Sequence, residues 1–300
     1  MSRKLLSYTA ISLVLGNSAL ADVPNVTVDI APVHSLVARV MEGVGSPKLI
    51  IPAGASPHEY SLRPSEAKSL QDADMVFWMG EDLAPWLEKS IETLARDAEI
   101  VTLLEESGTK LLDFREGALF EEHDHDEHAH GAHDPHAWLS IANAQTWLNL
   151  VAGKLSAADP ENAGVYFANA AAGRTEIDSL VAEVNGILAP VRGKNFVVFH
   201  DAYQYFETSF DFPAAGAISL GDATDPSPAR IAEIQGRVED EDINCVLSEP
   251  QYNRGLVEAV LSGTDAKTGI IDPLGHNLEA GPNLYSDLIR NMAKSLAGCL

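Results

Sequence analysis

Positive charge is scarce in this sequence, with 20 Lys and Arg against 44 Asp and Glu and a formal charge of −24. Such a surface repels a phosphate backbone instead of neutralising it, which excludes nucleic acid and anionic membrane surfaces as partners. Cysteine is scarcer still, Cys245 and Cys299 being the two in 300 residues, and a chain of this length needs neither a disulfide scaffold nor a structural metal to fold. The 16 prolines and 46% hydrophobic content exclude fibrous and wholly disordered classes, and the length points to two domains. HExxH, nucleophile-elbow and Walker motifs are all absent. Beyond the N-terminal stretch, no apolar run is long enough to span a bilayer.

That N-terminal stretch sets the compartment. Arg3 and Lys4 precede an apolar run from Leu5 to Leu15, followed by Ala19, Leu20 and Ala21, the three regions of a secretory signal. Cleavage is expected after Ala21, leaving residues 1–21 as a signal peptide. No cysteine follows to take a lipid, so the product is expected to be a soluble, exported, non-lipidated protein. In an oxidising compartment Cys245 and Cys299 pair by default, two buried thiols being the alternative.

From Val26 onward, short β-branched or aromatic runs (VTVDI, KLII, MVFWM, EIVTL) alternate with segments of helical spacing such as Val33, Leu36, Val37, Val40 and Met41. The grammar returns after Lys194 with NFVVF, AGAISL, INCVLS and TGIID. Strands alternating with helices imply βαβ units, so the expected class is α/β: two lobes, each a mostly parallel sheet flanked by helices. Between them Asp159 caps a segment with Pro160 at its first position and an apolar stripe through Ile177, Leu180, Val181, Val184 and Leu188. The expected organisation is an N-terminal lobe over 22–158, one long spanning helix over 159–190 and a C-terminal lobe over 191–300.

The segment from Glu121 to His136 holds six of the ten histidines among acidic residues and no aliphatic side chain larger than Ala. It cannot build a core and reads as a solvated loop. Imidazoles and carboxylates at that density, namely His123, His125, His128, His130 and His133, bind borderline divalent cations weakly and interchangeably.

Ligands of α/β sheets bind beyond the carboxyl ends of strands. His58, His136, His200 and Asp272 all sit at such positions, two in each half. Together they would make a closed tetrahedral zinc site, whereas singly each reads as a cap, a turn or a surface residue. His34 follows the first strand and is at most an auxiliary contact, His276 reads as merely exposed, and Glu249 as an acceptor supporting a ligand.

Over nearly all of the mature length the sequence resembles the zinc-binding branch of the metal-specific solute-binding proteins, the periplasmic receptors of high-affinity zinc ABC importers. The resemblance rests on PVHSLVARVMEG from residue 32, GASPHEYSLRPS from 54, DPHAWLS from 134, FHDAYQYFE from 199, SEPQY from 248 and IDPLG from 271. It implies two α/β lobes joined by a long helix with one Zn2+ in the cleft, and ligands at His58, His136 and His200. Manganese-preferring relatives carry a carboxylate where His200 stands. Some zinc members place a Glu just before the first histidine, where this chain has Pro57; others use an aspartate matching Asp272, which is the expected fourth ligand, with Glu59 or water as alternatives. The family's C-terminal disulfide matches Cys245 and Cys299. Implied partners are a membrane ABC permease with its ATPase and, further, a metallochaperone; the expected state is a monomer without enzymatic activity. Competing readings are a manganese or iron receptor of the same family and a secreted zinc hydrolase, which would leave the fourth position to water.

Overall fold

A computed structural model of the chain describes residues 23–115, 133–219, 227–240, 242–251, 254–261 and 263–300. The expected signal peptide and His123, His125, His128 and His130 lie outside those residues.

The first lobe runs β1 (Val26–Val28), α1 (Ala31–Met41), β2 (Lys48–Leu49), α2 (Pro64–Gln71), β3 (Met75–Trp78), α3 (Pro85–Leu94), β4 (Glu99–Thr102) and α4 (Ile141–Ala158). Its four strands pair in parallel in the order β2-β1-β3-β4. The long helix α5 (Ala163–Leu188) follows, bracketed by 3-10 turns at Pro160–Asn162 and Ala189–Val191. The second lobe runs β5 (Asn195–His200), α6 (Gln204–Phe210), β6 (Gly216–Ser219), α7 (Pro228–Asp240), β7 (Ile243–Ser248), α8 (Arg254–Leu261), β8 (Lys267–Ile270) and α9 (Leu284–Cys299), with parallel strands ordered β6-β5-β7-β8. Among the described residues no helix is long and apolar enough to cross a membrane.

Two α/β lobes joined by a long helix are therefore present, as the alternation of runs implies. Along α5 the fully covered residues Tyr166, Ala170, Gly173, Ile177, Leu180, Val184 and Leu188 recur at three- and four-residue steps and form one stripe. Gly173 lets neighbouring helices close in: a Cβ there would lie 3.1 Å from Leu148 and 3.3 Å from Arg39. At ~1.5 Å per residue the helix spans roughly 39 Å. The helix after His136 begins at Ile141, because Ala137–Leu139 form a 3-10 turn and Ser140 caps the α-helix, its hydroxyl accepting the Asn143 amide at 3.2 Å.

The main core runs through both lobes. The last helix α9 returns from the C-terminal half and packs on α5 and on α1, burying Leu284, Tyr285, Leu288, Ile289, Met292 and Leu296. Strand β5 alternates as a two-sided strand must: Phe196 and Val198 face the main core, while Val197 and Phe199 join Ile218, Ile234, Val246 and Val257 in a second cluster. Cys245 in β7 and Cys299 at the end of α9 are disulfide-bonded, with Cα atoms 5.8 Å apart, so the returning helix is fixed covalently to the sheet it leaves. Replacing Cys245 and Cys299 with Ser is expected to lower unfolding stability by about 2 to 4 kcal/mol. Thiol titration of denatured, unreduced protein is expected to find no free thiol.

His34 does not reach the cleft. Its ring is buried in α1, where Nε2 donates to the Pro47 carbonyl at 3.1 Å. Burial holds this imidazole below its ordinary pKa, the Pro47 carbonyl opposing that shift. The unfolded chain takes a proton on His34 at about pH 6.5 while the native chain resists it, so acidification through that range favours unfolding. His34 is expected to lower the urea midpoint of the metal-free protein between about pH 7 and pH 5, measured as the difference from a His34→Gln variant at each pH. His34→Gln, whose amide can still donate to Pro47, is expected to lose less; an unchanged pH slope would contradict this assignment.

Candidate metal centre

Three chain segments converge where the strands of both lobes end. The first leaves β2, whose pairing with β1 continues through Ile50 and Ile51, and carries His58. It is pinned by Trp86, whose indole Nε1 donates to the Pro57 carbonyl at 2.8 Å, and by the Ser56 hydroxyl, which accepts the His58 amide at 3.2 Å. The second is the sequence Asp134-Pro135-His136, where Asp134 Oδ1 accepts the His136 amide at 3.0 Å and so folds the chain back before the 3-10 turn. The third is β5 itself, whose last residue is His200.

One donor atom from each of His58, His136 and His200 lies within 4.8 Å of the others, and among the described residues this is the one cluster of metal-ligating side chains of that size. His136 and His200 are 4% and 3% exposed, and His58 is half-buried at the edge facing solvent. Both buried rings are gripped from behind. Asp134 Oδ1 lies 2.7 Å from Nδ1 of His136, and Glu249 Oε1 lies 2.5 Å from Nδ1 of His200. A carboxylate accepts, so in the neutral rings the proton is on Nδ1 and the lone pair is on Nε2. The two Nε2 atoms face one another at 3.4 Å. Two lone pairs at that distance repel unless a cation sits between them. Two nitrogens each ~2.0 to 2.1 Å from a tetrahedral zinc are themselves ~3.3 to 3.4 Å apart, so the spacing fits that ion.

The carboxylates are part of the electrostatics. Asp134 is 1% exposed and Glu249 2%. Burial pushes the Asp134 pKa up to about 6, against the His136 amide and the Arg115 charge, which pull it down. The other oxygen of Glu249 accepts the Gln251 amide at 2.8 Å, which fixes the carboxylate that orients His200. Carboxylate-held imidazoles are the usual supports of a zinc site, and they raise the basicity of the ligand nitrogen.

Asp272 is not brought into the cluster. It lies two residues beyond β8, and its carboxylate is used within its own turn: Oδ1 accepts the amides of Leu274 and Gly275 at 3.0 and 2.9 Å, and Oδ2 that of His276 at 2.5 Å. The Asp-Pro-Leu-Gly sequence thus folds as a carboxylate-capped turn with Gly275 at φ 76°. Glu59 is exposed and likewise outside the cluster. His276 is exposed at its edge yet packed: its ring covers Gly54, where a Cβ would fall 2.2 Å from ring atoms. His133 is paired through Nδ1 with Asp113 Oδ1 at 3.1 Å. Asp134 and Arg115 escape sequence reasoning. The first has a local signal, an acid two residues before a histidine across a proline; the second has none, because its partners are remote in the chain.

The fold agrees with comparisons to known proteins. The high-affinity zinc uptake system protein ZnuA of Brucella abortus (strain 2308) is 41% identical over 95% of this chain and 94% of its own length. The protein of the same name from Paracoccus denitrificans (strain Pd 1222) is 41% identical over 98% of each. The crystal structure of a ZnuA deletion mutant with zinc bound superposes with a TM-score of 0.77 at 21% identity, covering 93% of this chain and 98% of that one, which speaks to the fold alone. The family described as zinc-uptake complex component A, periplasmic, matches residues 26–299, essentially all of the two lobes and the site between them, and the chain belongs to that family.

Proposed function

We propose that this protein is the periplasmic receptor of a zinc importer, binding one Zn2+ through Nε2 of His58, His136 and His200 and handing it to an ABC permease driven by its ATPase. The observation that carries this reading is the pair of carboxylate-held imidazoles whose Nε2 atoms meet at 3.4 Å. Three nitrogen donors suit zinc better than manganese, which prefers oxygen. With the Asp272 carboxylate occupied by three backbone amides, a water completes the tetrahedron. Such a water would also serve a hydrolase, but the carboxylates Asp134 and Glu249 are committed to the ligand rings, and neither is left to act as a base. Residues 1–21 are the cleaved signal, 22–158 and 191–300 the lobes and 159–190 the joining helix.

The histidine-rich segment that ends at His136 serves as a capture surface. Its neighbourhood in sequence to His136 gives metal held on it a high effective concentration at the cleft, while side chains that must order around each ion bind it more weakly than a preformed site does.

Titration of the chelated mature protein against a competing chelator is expected to find one tight zinc equivalent, with manganese bound far more weakly. Ala at His58, His136 or His200 is expected to weaken zinc by more than about 100-fold, and Ala at His276 or His133 by much less. Equal losses at all five positions would remove the assignment. Zinc is expected to dissociate on acidification below about pH 6 to 7, because protons compete for the same nitrogens. Deleting residues 122–132 is expected to abolish the weak equivalents, keep the tight one and slow loading at scarce zinc; loss of the tight site in a folded variant would show that the segment supplies its ligands.

A further inference from the structure

The two buried ligand rings belong to different lobes, and something must hold them at a fixed separation. His136 stands at the end of a neck formed by residues 112–115 and 133–136: the Asp134 amide donates to the Leu112 carbonyl at 2.9 Å, and Asp113 pairs with His133 in an antiparallel bridge. His200 ends β5 and is followed by Asp201 and α6. Between these pieces lies Arg115. Its Nε donates to both oxygens of Asp201, at 3.0 and 2.9 Å. Its Nη1 and Nη2 donate to the two oxygens of Glu207 on α6 at 2.8 and 3.0 Å, and Nη2 also reaches Asp201. The side chains of Arg115, Asp201 and Glu207 are 16%, 4% and 6% exposed. Tyr205, also on α6, reinforces the joint: its hydroxyl accepts the Leu112 amide at 2.9 Å and donates to the Asp134 carbonyl at 2.8 Å.

We infer that Arg115 is a positioning residue for zinc: its fork, spanning from the neck of one lobe to Asp201 and Glu207 of the other, sets the distance between His136 and His200. This rests on the three-histidine site proposed above. A planar guanidinium fixes two carboxylates in direction as well as distance, which a lysine, with its single flexible ammonium, cannot do. Metal sites lose affinity when ligands drift by about 0.5 Å, so a loosened joint costs zinc binding without any ligand being removed.

The experiment is zinc affinity by chelator competition, together with the visible spectrum of the Co2+-loaded protein, for Arg115→Lys, Arg115→Met, His200→Ala and Tyr166→Phe. Tyr166→Phe serves as the control for stability alone, since its hydroxyl bonds Asp159 within a buried pair elsewhere in the fold. Arg115→Lys is expected to lose about tenfold in zinc affinity and Arg115→Met more, both with altered Co2+ bands, while Tyr166→Phe lowers the melting temperature and leaves zinc unchanged. If Arg115→Met does not fold, Arg115→Lys decides. Wild-type affinity and spectrum in the Arg115 variants, with tight zinc lost in His200→Ala, would overturn the inference while leaving the site intact. Tight zinc surviving His200→Ala would overturn the three-histidine reading and the inference with it.

Discussion

Everything in the cleft depends on the bond between a buried carboxylate and the back of an imidazole. Asp134 and Glu249 each take Nδ1 of one histidine, and by doing so decide which nitrogen faces its counterpart in the opposite lobe. An acid this deep in a protein costs solvation energy unless it is bonded. Here the bonds come from the ring, from the His136 amide and from Gln251, so the carboxylates are tolerated and the rings are fixed. The result is a pair of lone pairs held in opposition, an arrangement that a cation relieves.

The fold supplies the rigidity that such opposition requires. Parallel sheets end at the cleft in both lobes, and α5 and α9 run between the lobes as shared core, so the site is built across an interior and not across a loose hinge. Tyr285, buried at the start of α9, accepts no compromise: its amide donates to the Ser35 hydroxyl and its own hydroxyl to the Trp138 carbonyl, while the Trp138 indole donates to the carbonyl of Pro273. These bonds tie α1, the 3-10 turn after His136 and the turn after β8 to one another.

The strands were legible because each is a short β-branched or aromatic run, and the joining helix because its apolar stripe from Ile177 to Leu188 continues without a proline. The three histidines were legible because parallel sheets place ligands at strand ends. Asp272 too follows a strand, but its carboxylate accepts the backbone amides of Leu274, Gly275 and His276, and these local bonds engage both of its oxygens. Arg115 was invisible because its partners Asp201 and Glu207 are remote in sequence, and one arginine in a polar stretch carries no pattern. His276 looked idle because exposure on one edge of a ring says nothing of what the other face covers.

That covered face links two positions that share no chemistry. Gly54 adopts φ 84°, which penalises any side chain, and the His276 ring fills the volume where a side chain would begin. Substituting His276 by a small residue lifts the second restriction but not the first. The backbone is the stricter of the two limits, because an exposed ring can swing aside whereas φ 84° cannot be traded away locally; Asn or Asp, which accept left-handed backbone most readily, are therefore the side chains residue 54 tolerates best, and more readily once the imidazole is gone.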